Sequence, residues 1–250
     1  MRTEQRYNVS TVEESPDLRG QDVQMAQVAW PEFMLHDPVA RYFDELYNDL
    51  PQFQFAFKDK ESGELLCIGN SVPLAWTKDP QELPDEGWDW ALEKGIKDHQ
   101  AGVQPTVLCA IQIMLPPEHR GKGISHEAVI EMKKIGRAHG LTTLIAPVRP
   151  SSKSLYPLTE IERYIRWTTD EGLPFDPWLR VHARQGGRIV KVCPRAMRIT
   201  GTVAEWQSWT KMRFPESGHY VVPGALAPVE IDCDADTGVY VEPNVWTVHD

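Results

Sequence analysis

The sequence predicts an α/β domain: a mixed, twisted sheet with helices on both faces. Two stretches predict it. From Val107 to Leu115 the chain is almost continuously apolar, broken only by Gln112, the pattern of a strand buried on both faces. A loop with two glycines, an amphipathic pattern over residues 125–139 and a second apolar run over 141–146 follow. Strand, glycine loop, helix and strand in that order place helices against a sheet. Farther upstream, Phe53, Phe55 and Phe57 alternate with Gln52, Gln54, Ala56 and Lys58 and reach Leu65 through a Lys60-Glu61-Ser62-Gly63 turn, which reads as a β-hairpin.

The other elements follow from local chemistry. Asp37-Pro38 caps a helix over residues 38–50, with Val39, Tyr42, Phe43, Leu46 and Tyr47 at helical spacing. Residues 77–87 are too rich in proline and acid for regular structure, and a short helix over 88–99 comes next. In the helix over 125–139, Ala128, Val129, Met132 and Ile135 share one face, and Gly140 stands at the C-cap position. A helix is expected near 160–167. Another starts at the Asp176 cap with Pro177 in its first turn, runs to Gln185 and is stopped by Gly186-Gly187. A strand over 188–193 and short strands at 220–222 and 239–241 complete the chain.

The 250 residues carry 26 Lys+Arg against 36 Asp+Glu, a formal charge of −10, and are 41% hydrophobic. One domain is the expectation, with a polar arm over 1–24, a core over 25–200 and a β-rich extension over 201–250 packed on it. A core of that size needs no disulfide or metal. The acidic balance speaks against a nucleic-acid partner, which needs a clustered cationic surface. Cys67, Cys109, Cys193 and Cys233 are far apart and read as free thiols of a reducing compartment. With a polar N-terminus and no run of some 20 apolar residues, a cytoplasmic protein without a membrane partner is expected.

The loop after the first buried strand has the length and glycine content of an anion cradle, and its spacing decides which kind. A Walker loop fails, because the lysine stands between the glycines. A dinucleotide fingerprint fails too: His126 occupies the third glycine position, and Thr142 and Thr143 stand where an acid is needed. The segment Arg120-Gly121-Lys122-Gly123-Ile124-Ser125 resembles the acyl-CoA pyrophosphate loop of the GCN5-related N-acetyltransferase (GNAT) superfamily, with Ser125 in place of the final Gly/Ala. The physics agrees: backbone N–H groups at a helix start face outward, the dipole favours an anion, and glycine admits close approach. A second likeness lies at residues 181–187, where His182 takes the place of the family's tyrosine and Gly187 that of its phenylalanine. The resemblance covers about 105–193, and 38–75 by element order.

The resemblance implies a GNAT-like fold and direct attack of a small amine on an acyl-CoA thioester, with acetyl-CoA as the expected cosubstrate. It places pantetheine and the oxyanion along Ile113, Met114 and Leu115, the pyrophosphate on Arg120 to Ser125, and the leaving-group acid at His182, whose imidazole titrates ordinarily near ~6.5. No carboxylate lies on the buried strand, and Gln112 cannot act as a base. Glu118, His119 and Glu242 are the alternatives. Arg149 or Ser152, after the second buried strand, could touch CoA or the acceptor. Trp76, Trp88 and Trp90 either line an acceptor pocket or fill the core. Residues 232–238 resemble a calcium loop but read better as a turn between strands, so no metal is expected. Two alternatives stay open: other thioester chemistry on the same fold, with a carrier-protein donor or a hydroxyl acceptor, and a non-catalytic acyl-CoA-binding module. A homodimer is equally open. Residues 155–175 and those beyond 200 exceed what the recognised core needs, and substrate specificity is expected there.

Overall fold

The computed structural model describes residues 6–250. Its sheet begins with β1 (Tyr7–Thr11), β2 (Gln54–Asp59), β3 (Leu65–Leu74) and β4 (Val107–Met114), antiparallel neighbours in that order. β5 (Leu144–Val148) joins β4 in parallel, and β9 (Thr237–His249) joins β5 antiparallel. β9 is long enough to serve several partners. Its C-terminal half pairs with β5, its N-terminal half with β8 (Val229–Asp232), which carries β7 (Gly218–Tyr220). β6 (Arg188–Gly201) pairs with β9 along most of its length.

Two helices fix the faces. α3 (Gly87–Gln100) packs on β3 so closely that a Cβ on Gly95 would lie 2.3 Å from Val72. α4 (Ile124–Ala138) buries Ile124, Ala128, Val129, Met132, Ile135 and Gly136, and a Cβ on Gly136 would lie 3.2 Å from Leu108. Val72 pairs with Cys109, and Leu108 is the next residue along β4. Since successive strand residues face opposite ways, the two helices cover opposite faces, as the sequence predicts.

Four regions differ from expectation. Residues 7–11, inside the expected polar arm, form edge strand β1, and α1 (Gln21–Ala29) follows; residues 1–5 of that arm lie outside the described residues. An edge strand with a half-solvated face has little apolar signature, and α1 buries only Met25. The helix expected over 38–50 divides into a 3-10 turn at Pro38–Tyr42 and α2 (Phe43–Asp49), while that near 160 shrinks to α5 (Ile161–Tyr164). The β-rich C-terminal residues also do more than pack on the domain, because β9 continues the sheet beyond β5. The turn at residues 232–238 is the β8–β9 connection.

Asp176 shows how the surplus segment is anchored. It caps α6 (Pro177–Arg184), accepting from the N–H groups of Trp178 and Leu179 at 2.9 and 3.1 Å. It also accepts from Ser152 N–H at 2.8 Å and the Tyr164 hydroxyl at 2.9 Å. Its side chain is buried, so Asp176→Ala strands several donors. The expected loss is about 3 kcal/mol or more, combining a lost cap with unsatisfied buried groups, and urea unfolding measures it.

Candidate active site

β4 and β5 pair at only two positions, Leu108 with Leu144 and Cys109 with Ile145, and then part. A bulge on β4 accompanies the parting: Asn70 pairs with Gln112 and Ser71 with Ala110, so Ile111 is skipped. The Ile111 carbonyl instead accepts from Trp88 Nε1 at 2.8 Å. Between the parted strands lies a cavity of about 790 Å³. Residues 110–115 of β4 and its end form one wall and residues 146–149 another; α1, α4 and α6, the segment over 30–43, Trp88 and residues of β6 and β9 also line it. At that size it admits a drug-sized ligand.

The glycine loop borders this cavity through Arg120, Gly121 and Ser125. Gly121 and Gly123 adopt φ of +75° and +83°, and a Cβ on either would meet nothing within 4 Å. That is an open cradle. Gly123 is the N-cap of α4, whose first N–H groups have no intrahelical acceptor. The residues therefore fit a pyrophosphate, with Arg120 and Lys122 exposed beside it. Ile124 turns its side chain into the core, so only its backbone faces the loop.

Ile113, Met114 and Leu115 all line the cavity. Gln112 lines it as well, its amide donating to Asn70 Oδ1 at 2.8 Å in a network that continues to Tyr47 and Gln54. The backbone N–H groups of Ser151 and Ser152 both donate to Asp176, at 3.2 and 2.8 Å, and Ser151 lines the cavity while Ser152 stands just behind it in the chain. Among the tryptophans Trp88 lines it, whereas Trp76 and Trp90 pack edge to face on one another at 5.5 Å. Glu118 and His119 lie outside it. His119 Nε2 instead pairs with Glu64 at 2.7 Å.

His182 does line the cavity, but its expected titration near neutrality does not survive burial. The ring is 2% exposed, and desolvation together with neighbouring His249 pushes its pKa down to about 3. An imidazolium acid is therefore absent at neutral pH.

The inner end of the cavity is charged. Arg149 Nε lies 3.0 and 2.9 Å from the two carboxylate oxygens of Glu242, and another guanidinium nitrogen donates to the Gly224 carbonyl at 2.6 Å. The Tyr240 hydroxyl donates to Glu242 at 2.9 Å, and the Asn244 amide, once turned about its Cβ–Cγ bond, donates to the same carboxylate at 3.2 Å. Glu242 is fully buried; desolvation raises its pKa against the pull of Arg149. The Trp30 ring sits 5.7 Å from the guanidinium. Sequence reasoning missed the α1 wall and Trp30, because only contact with the distant β5 end gives them a role.

Behind this end stand Asp37 and Asp89. Asp37 accepts from Val39 N–H at 2.8 Å, and Asp89 accepts from Arg198 N–H at 3.1 Å. Each has a second oxygen, buried, with no partner other than the facing carboxyl. Desolvation raises Asp37 to about 6, and desolvation with the Asp37 charge raises Asp89 to about 8, so the pair shares one proton. The unfolded chain releases that proton near the ordinary carboxylate pKa and the folded protein near 8, so stability falls as pH rises between them. His182 and His249, with folded pKa values below the ordinary one, act oppositely, but only below ~6.5. Between pH 6.5 and 8 the melting temperature should therefore fall. Asp89→Asn, which keeps the hydrogen bond without the charge, should flatten that fall and melt higher at pH 8.

No protein-family model matches the chain. Over 247 aligned residues it is 31% identical to an arginine N-acetyltransferase of Aspergillus versicolor, covering 88% of this chain and 84% of that protein. Among solved structures, the loading GNATL domain of CurA from Lyngbya majuscula matches with a TM-score of 0.63 at 16% identity, over 98% of each chain. The GphF GNAT-like decarboxylase in complex with isobutyryl-CoA matches with 0.56 at 13%, over 97% of this chain and 98% of that one. These two likenesses speak to fold alone. With the relative's identity and coverage, the glycine cradle at α4 and the parted strands, the chain belongs to the GNAT superfamily and is an acyl-CoA-dependent N-acyltransferase.

Proposed function

We propose that the protein transfers an acetyl group from acetyl-CoA to an amine of arginine type, a small molecule bearing a guanidinium. The backbone N–H groups of Gly121 to Ser125, with Arg120 and Lys122, hold the pyrophosphate. Pantetheine runs beside Ile113, Met114 and Leu115, whose free β4 edge offers main-chain groups to it and an N–H to the oxyanion. The acceptor enters the inner end.

The observation that carries the acceptor is the charge there. Asp37 and Asp89 share one proton and keep one negative charge, while Glu242 is paired with Arg149, which leaves one negative charge in excess behind a wall of low polarity. Such a site favours a cation, and Trp30 offers a face for a planar one. The arginine N-acetyltransferase named above supports the same class. Thiol release from acetyl-CoA tests it against arginine, an arginine ester and alkyl and arylalkyl amines that lack a guanidinium. Guanidino amines should exceed the others in kcat/KM by at least tenfold, and an amine without a second cationic group that matches them overturns the charge argument.

A further inference from the structure

Gln112 is the polar side chain among the apolar ones of residues 110–115, and it lies half-buried on the cavity wall just past the β4 bulge. The groups behind it settle its direction. Gln54, fully buried, donates through Nε2 to the Leu50 and Ser71 carbonyls at 2.9 and 3.0 Å, and a carbonyl only accepts. Its amide is thereby fixed, and Gln54 Oε1 accepts from Ser71 N–H at 3.2 Å and from Asn70 Nδ2 at 3.1 Å. Asn70 Nδ2 also donates to the Tyr47 hydroxyl at 2.9 Å, which leaves Asn70 Oδ1 as the acceptor toward β4. Gln112 Nε2 meets it at 2.8 Å.

Turning any one of these amides sets like groups against each other away from water, which a buried network resists. Gln112 is therefore held with its NH2 inward and its Oε1 outward. That oxygen has no donor among the described residues, and it keeps open surface on a residue that lines the cavity. Position along the strand says which donor it meets. The glycine loop follows β4, pantetheine runs back from it beside residues 115 to 113, and Gln112 is the next residue inward, about 3.3 Å farther on. The acceptor lies beyond the thioester, at that inner side.

We propose that Gln112 Oε1 accepts a hydrogen bond from the attacking amine and turns its lone pair toward the thioester carbon, with Asn70 and Gln54 as positioning residues that aim the amide. This rests on the thioester lying along residues 113–115 and not on which amine is bound. The nitrogen forms its bond to the carbonyl carbon, the C–S bond breaks, and the proton shed by nitrogen ends on the departing sulfur. No further reactant is consumed. Gln112 carries none of that proton, because an amide oxygen holds an N–H without taking it.

Gln112→Met keeps the length of the side chain and loses the oxygen. With whichever amine turns over, kcat/KM for the amine should fall about tenfold or more, the worth of one hydrogen bond, while KM for acetyl-CoA stays within about twofold. An unchanged kcat/KM overturns the proposal, and a raised KM for acetyl-CoA gives the oxygen to pantetheine and overturns it too. The second arm needs no turnover: the full chain labelled with 15N and with 13Cδ-glutamine is saturated with CoA and titrated with that amine. The Gln112 13Cδ resonance, assigned through the backbone, should move downfield with the amine and not with CoA alone. A resonance that stays still as the amine saturates, or that moves with CoA alone, overturns the proposal. The backbone resonances of Ile113, Met114 and Leu115 report the donor in the same experiment. If CoA leaves them unmoved, the donor's placement fails; if they move and Gln112 does not answer the amine, Gln112 alone fails. Should Gln112→Met not fold, the wild-type spectra decide.

Discussion

Glu242→Gln is expected to destabilise the protein by about 3–5 kcal/mol, because it leaves the Arg149 guanidinium without its counter-charge in a buried place. The amide is nearly isosteric and keeps one acceptor, so lost packing explains little of that. What changes is charge. Glu242 is fully buried, and the Arg149 side chain is 17% exposed and otherwise held by the Gly224 carbonyl. Removing both charges together is less costly, since a well-packed apolar pair avoids the desolvation of two ions. Arg149→Met with Glu242→Leu should therefore be more stable in urea than Glu242→Gln alone. Glu242→Gln also removes the excess negative charge at the inner end and should lose the preference for guanidino amines, whereas the double variant removes one charge of each sign, keeps the negative charge held by Asp37 and Asp89 and, if it folds, should keep the preference. A folded double variant that loses the preference would tie the acceptor's cation to the Arg149–Glu242 pair itself.

What the sequence could disclose was set by range. The run from β4 through the loop and α4 to β5 was legible because each part has a local signature: a continuous apolar strand, two glycines at a helix start, a 3.6-residue period and a capping glycine. The resemblance placed pantetheine along Ile113 to Leu115, but the parting of β4 from β5 that opens the space leaves no mark on composition, being two pairings followed by none. The inner end was illegible for another reason. Asp37 reads correctly as a cap, accepting from Val39, but its second oxygen meets Asp89 on α3, and no periodicity links the two. His249 closes β9 and is buried against His182 only because β9 is drawn in beside β5 and β6. Where polar groups meet across long stretches of chain, single residues carry no sign of the partner.

Gly123→Asn should raise KM for acetyl-CoA at least tenfold while leaving kcat at saturating donor within a few-fold. Asparagine tolerates the left-handed conformation better than other side chains, so the backbone at φ +83° survives at a cost of about 1 kcal/mol. The new side chain occupies space where a Cβ now meets no protein atom within 4 Å, the space a pyrophosphate needs to reach the N–H groups that open α4. Strain and occlusion must be separated, and the same helix supplies the control. Gly140, just beyond the other end of α4, has φ +78° and equally empty surroundings, so Gly140→Asn carries the same backbone cost far from any anion. The two variants should melt within a few degrees of each other, and only the first should weaken acetyl-CoA. If both leave KM unchanged, the pyrophosphate does not rest on Gly123, and the N-terminus of α4 is a helix cap and nothing more.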